Sequence, residues 1–158
     1  MRVGFGYDAH PLVAGRPLVL AGVSIPFDRG LDGYSDADVA THAVIDALLG
    51  AAALGDCGSH FPAGDERFAG AKSVDLLALA IALMRDAGFR VGNVDCTIVA
   101  ERPALAGSVA AMRQSLATAM DVDAARVSVK VKRSEGLGFT GEGAGIEAYA
   151  AALVEDVR

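Results

Sequence analysis

Sulfur is scarce in this chain. Two isolated cysteines in 158 residues, Cys57 and Cys96, cannot build a disulfide framework, and no C-x-x-C spacing suggests a redox or zinc-knuckle motif. Long apolar runs are also missing: the longest, residues 76–84, is far too short to cross a bilayer. Residues 1–10 hold two glycines, an aspartate and a histidine rather than the apolar stretch of a signal peptide. Positive charge is in deficit, with 14 Lys and Arg against 20 Asp and Glu, which argues against the basic footprint of a nucleic-acid binder. No internal repeat, linker or low-complexity tract divides the chain. The expectation is one cytoplasmic domain over residues 1–158, with neither nucleic acid nor membrane as partner. Apolar residues make up 53% of it, enough to bury a core at this length.

What is present is organised around residues 35–62, SDADVATHAVIDALLGAAALGDCGSHFP. Ser35 and Asp38 form an S-x-x-D helix start, and Gly55 supplies the stop after Leu54. Asp38, His42 and Asp46 fall at i, i+4 and i+8, one polar stripe on a rod apolar elsewhere. Such a rod is buried, and an imidazole buried between two carboxylates needs a partner. A metal ion is the simplest one; a hydrogen-bonded core histidine with Asp46 beside it is the plainer alternative. Residues 1–10 then alternate, with Val3, Phe5 and Tyr7 on one face and Gly4, Gly6, Asp8 and His10 on the other. A D-x-H pair on a strand plus His42 makes three N/O ligands with a fourth position open, the way catalytic zinc is held. Asp8 and His10 also read as a pair bonded to each other at a strand end.

Residues 18–20 and 23–26 read as a strand pair that presents the loop around Tyr34, with a turn at 28–30. Residues 55–70 form a polar loop in which Asp56 is either a turn residue or an acceptor for substrate hydroxyls, and His60 a solvated side chain. Helices are expected at 73–87, capped by Ser73, and at 105–120. Strands are expected at 91–100 and 127–132, and a short helix at 146–157. Strands separated by helices imply an α/β (α+β) fold, a mixed sheet covered by helices on one face. Self-association is expected to hide the other face. Gly136, Gly138 and Gly141 spell G-x-G-x-x-G, but the strand and acidic residue that a dinucleotide site requires further on are not expected here. The loop keeps backbone amides suited to phosphate.

Taken together, GYDAH, SDADVATHAVIDALLGAAALGDCG-x-x-FP, GNVD and EGLGFTGEGAGI make the chain resemble the 2-C-methyl-D-erythritol 2,4-cyclodiphosphate synthase family over nearly its whole length. The resemblance implies a homotrimer of compact subunits with active sites at the subunit boundaries. It implies zinc on Asp8, His10 and His42, and a second ion, magnesium or manganese, on Glu135. The implied reaction is that of a phosphorus–oxygen lyase. It turns 4-diphosphocytidyl-2-C-methyl-D-erythritol 2-phosphate, a cytidine diphosphate compound, into the cyclic diphosphate and CMP. By resemblance Asp56 and the Gly58 amide hold the methylerythritol hydroxyls. Residues 100–106, through Ala100, Pro103, Leu105 and Ala106, take the cytidine and its phosphates with Lys132, Arg133, Ser134 and Glu135. Ser35, Phe61, Asp65 and Phe139, with Asp8 and His10, complete the substrate-binding set, and Asp46 is the candidate for orienting the metal ligands.

The departures from the family pattern gather in the substrate pocket. Tyr34 stands where the family has a histidine for the 2-phosphate, Ala63-Gly64 replace Asp-Thr, Lys132-Arg133 replace Thr-Thr, and Ala104 replaces a lysine. Glu142 and Ala144 stand for an arginine and a glutamate. A phenol donates one hydrogen bond and brings no positive charge, so Arg133 or Lys132 is expected to supply it across a subunit boundary. Tyr34, Arg133 and Asp56 are therefore the expected catalytic set. The competing reading is a trimeric metal- and nucleotide-binding relative with altered or lost turnover.

Overall fold

In a computed structural model, which describes residues 1–157, the alternation at the start of the chain is a long strand, β1 (Arg2–Ala14). The other strands are β2 (Leu18–Leu20), β3 (Val23–Ile25), β4 (Arg29–Leu31), β5 (Phe89–Val99), β6 (Val127–Lys132) and β7 (Gly145–Asp156). The helices are α1 (Val39–Ala51), α2 (Cys57–His60), α3 (Ser73–Asp86), α4 (Val109–Met120) and α5 (Gly138–Gly141). Five strands form a mixed sheet in the order β4-β1-β7-β5-β6, and β2 and β3 pair separately. Among the described residues only the β5–β6 pair runs parallel. α1 lies across β1 and β7, with α3 against α1 and α4 against β6. This is the expected α/β class.

The two faces of β1 differ sharply. Gly4 and Gly6 face α1 so closely that a Cβ on either would stand 1.9 Å from a backbone oxygen, Ala47 O or Ala43 O. The glycines are what let strand and helix backbones meet. On the opposite face Val3 and Phe5 are 74% and 67% exposed, and Tyr7 and Tyr149 stand beside them with ring centroids 5.1 Å apart.

α1 differs from its expected form at its start. Its N-cap is Asp38, not Ser35. Asp38 is fully buried and leaves the polar stripe altogether: its carboxylate accepts N–H bonds from Ala21, Gly22 and Thr41 and the Thr41 hydroxyl. It ties the turn between β2 and β3 to α1 instead of facing His42. The helix ends at Ala51, ahead of Ala53 at φ +59° and Gly55 at φ +92°.

The larger correction is at 146–157, a strand and not a helix. Alanine favours helix in isolation, but Ile146, Ala148, Ala150, Ala152 and Val154 are buried at every second position. β7 pairs antiparallel with β1 from Gly145 to Val154 and with β5 on its other side, so it is the central strand. Its alanines keep the sheet surface low where α1 crosses. The strand after the glycine-rich segment is thus antiparallel to its neighbours, unlike the parallel strand of a dinucleotide crossover. α4 begins at Val109, after a short turn at Ala106–Ser108, with Met112 and Leu116 buried as expected. Among the described residues no helix is long and apolar enough to cross a membrane.

Candidate metal centre and its cavities

Two residues past Gly6, β1 brings Asp8 and then His10 to the edge of α1, and His42 meets them from the helix. The three offer ligand atoms within 4.8 Å of one another. His10 Nε2 lies 3.2 Å and His42 Nδ1 3.1 Å from the same oxygen, Asp8 Oδ2. The far nitrogen of His10 decides its protonation. Nδ1 is 2.7 Å from the Asp32 carbonyl, which only accepts, so Nδ1 carries the proton and Nε2 presents a lone pair. An imidazole lone pair facing a carboxylate oxygen is repulsive unless a cation lies between them. The donor set fits zinc: two nitrogens, one oxygen and room for a fourth ligand. Without the ion, protons take its place. Burial alone would raise the Asp8 carboxyl, but hydrogen bonds from His10 and His42 outweigh it and hold it at about 2. The Asp8 bond in turn raises His10.

Asp46 does not orient the ligands through a hydrogen bond. Its Oδ1 accepts the Cys57 N–H at 2.7 Å, tying α2 to α1. Burial raises the Asp46 carboxyl, with that bond opposing. Cys57 sits beside it, its thiol pushed up to about 12 by burial and then by the charges of Asp46, Asp8 and Asp56. The residues that do reach His42 were read otherwise from sequence. Ser73 Oγ is 2.8 Å from His42 Nε2, and Ser73 bonds Asp36. Ser73 reads from sequence as a helix cap and Asp36 is given no role there; no spacing rule connects either to His42.

A cavity of about 290 Å³ opens over the centre, lined among others by Asp8, His10, Tyr34, Ser35, Gly58 and Phe61. Arg16 holds its Tyr34 loop by donating to the Gly33 and Ser35 carbonyls. Phe61 stands edge-on to Phe68 at 5.4 Å. Asp56 lies outside the lining, capping α2 through the Ser59 N–H at 2.8 Å. Asp65 caps the following turn and pairs with Arg67 at 2.6 Å. His60 is half-buried rather than solvated and donates Nε2–H to the Leu54 carbonyl at 2.7 Å.

A second cavity, about 460 Å³, is lined by Ala100, Pro103, Leu105, Ala106, Lys132 and Arg133 among others. The two cavities share no lining residue within one chain. Arg133 is paired with Glu101 at 2.9 Å, and Glu101 also accepts the Ser134 N–H at 3.2 Å. The Arg133 bond holds the Glu101 carboxyl below its usual range. Glu135 is exposed at φ +53°, and Phe139 is exposed on α5; neither lines either cavity.

A strand-borne Asp-x-His pair answered by a histidine on the covering helix, with a second cavity at the ends of β5 and β6, defines an α/β protein built around an open group for a metal ion. Residues 1–155 match the YgbB family. A 2-C-methyl-D-erythritol 2,4-cyclodiphosphate synthase of Symbiobacterium thermophilum is 54% identical over 154 residues, 98% of each chain. A solved synthase of the same kind, in a form with CDP bound, superposes with a TM-score of 0.89 at 36% identity, covering 98% of this chain and 100% of that one. The bifunctional IspDF of Campylobacter jejuni superposes at 0.94 with 38% identity; 98% of this chain covers 42% of that longer one. The chain belongs to this family, that of the 2-C-methyl-D-erythritol 2,4-cyclodiphosphate synthases.

Proposed function

We infer that the protein is a cytoplasmic lyase that closes 2-C-methyl-D-erythritol 2,4-cyclodiphosphate from 4-diphosphocytidyl-2-C-methyl-D-erythritol 2-phosphate. An oxygen of the 2-phosphate attacks the β-phosphorus in line. The bond from that phosphorus to the bridging oxygen breaks, and CMP leaves with the oxygen. The observation that carries this reading is the pair of imidazole nitrogens turned on one Asp8 oxygen at the floor of a cavity.

Asp8, His10 and His42 would hold zinc, and Glu135 a magnesium or manganese ion together with substrate phosphates. Bound there, the ions would neutralise the charge that grows on the phosphoryl oxygens. The protein's own part is placement. The Gly58 amide and Asp56 take the sugar hydroxyls, with Asp56 turning from its cap to do so. Ser35, Phe61 and Asp65 shape that end, and Tyr34 donates to the 2-phosphate. Ala100, Pro103, Leu105 and Ala106 take the cytosine end, Lys132 and Ser134 its phosphate side, and Phe139 is an exposed member of the substrate-binding set. Arg133 is already paired with Glu101, so a phosphate competes with that carboxylate for it.

A homotrimer is the assembly that fits both separate cavities and the bare aromatic face of β1 and β7. One subunit would bring the metal cavity to the nucleotide cavity of the next. The test is incubation with the substrate while CMP and cyclic product are measured together. Equal amounts of the two are expected. CMP alone would mean hydrolysis, and neither would leave a binding protein.

A further inference from the structure

The outer nitrogen of His42 meets side chains, where that of His10 meets the backbone. His42 Nε2 lies 2.8 Å from Ser73 Oγ, on the first turn of α3. Ser73 is completely buried. Its hydroxyl makes a short hydrogen bond with Asp36 Oδ1, and Asp36 also accepts the N–H of Ser73 at 3.0 Å and of Asp38 at 3.2 Å. What each group can offer fixes the directions. A carboxylate accepts only, so the single hydroxyl proton of Ser73 goes to Asp36. Ser73 Oγ then turns a lone pair to His42, which must carry its proton on Nε2. Nδ1, 3.1 Å from Asp8 Oδ2, is then the nitrogen that faces an ion or, in its absence, shares a proton with Asp8. In the opposite direction, with Ser73 donating to His42, two oxygens would sit in short contact with no proton between them.

Nothing else accounts for the Ser73 hydroxyl. The N-cap of α3 is Lys72, and no side chain caps that helix. Ser35 Oγ also approaches His42 Nε2, but at 3.3 Å, and it already accepts the Ala37 N–H.

We propose that Asp36 and Ser73 are positioning residues for the metal centre, a relay that sets the tautomer and ring plane of His42 and thereby its affinity for the ion. The affinity half of this rests on the zinc reading above; the tautomer half does not. Both histidines of the group are then held by a partner on the far nitrogen, His10 through Nδ1–H and His42 through Nε2–H.

Long-range nitrogen–proton correlation spectra of the metal-free protein should show a proton on His42 Nε2. Ser73→Ala should let a form without the Nε2 proton appear. Zinc affinity, from competition with a chelating dye, should fall about 10- to 100-fold in Ser73→Ala and Asp36→Asn. Ser73→Thr keeps the hydroxyl and should restore it, and Ser35→Ala should cost less than either. A His42 without a proton on Nε2 in the unmodified protein, or undiminished affinity in Ser73→Ala, overturns the proposal. Should Ser73→Ala fail to fold, Asp36→Asn carries both measurements. An unmodified protein that binds no zinc would reject the zinc assignment, and the metal-free spectrum would still decide the relay.

Discussion

Asp8 Oδ2 stands between two imidazoles, and the centre depends on both. His42→Ala should abolish zinc binding, from one ion per chain to none, while circular dichroism of the metal-free variant stays that of the parent. The rest of α1 is held by its apolar contacts and by Asp38, so the fold does not hang on the ion. Full zinc occupancy in that variant would contradict the ligand assignment. Cys57 offers a second prediction. Its thiol is pushed up to about 12, so very little thiolate exists near pH 8. Alkylation of the metal-free native protein at that pH should be far slower at Cys57 than for free cysteine, and should accelerate as pH rises toward 12. Peptide mapping after timed iodoacetamide treatment reads this, and labelling as fast as free thiol would refute it. The ligands were legible because D-x-H on a strand and a lone histidine on an apolar helix are both matters of short spacing. Ser73 and Asp36 were not, because they are brought together across 37 positions of chain.

Secondary-structure elements show the same division. α1, α3, β5 and β6 were legible from period and punctuation, and β6 falls on its expected residues, Val127–Lys132. β7 was not. Its alanines carry a helical preference that only the sheet on both sides and the helix above override. Asp38 was misread likewise, since an i, i+4 count cannot tell that a carboxylate has turned back to the β2–β3 turn. Asp38→Ala should lower stability by about 3 kcal/mol, from the lost cap and the buried donors left unpaired; chemical denaturation measures it, and a change near zero would disprove the role. Gly6→Ala is expected to be worse, about 4 kcal/mol or more, because its Cβ meets backbone rather than a movable side chain. A soluble Gly6→Ala protein would have β1 pushed off α1, with Asp8 drawn from His42 and zinc affinity reduced. Parent-like stability and zinc binding together would refute that coupling.

On the scale of the molecule, the sheet has one face under helices and one face of Val3, Phe5, Tyr7 and Tyr149 with nothing over it. The proposed homotrimer would bury that face, so Phe5→Glu should convert it, at three times 16.1 kDa, into monomers in analytical ultracentrifugation, with the subunit still folded. An unchanged trimer would place the contact elsewhere. The position of β7 has a consequence for synthesis. Arg2 finds its partner at Val154, so the first strand made waits for the last before the sheet can close. A ribosome adding about 5–20 residues per second leaves β1 without that neighbour for several seconds or more. During that time its alternating apolar edge is open to other chains, and the pairing that ends the wait is of the long-range kind that folds slowly. Nascent chains halted just before Gly145 should remain protease-sensitive throughout, and those extended past Asp156 and clear of the exit tunnel should become resistant in a single step.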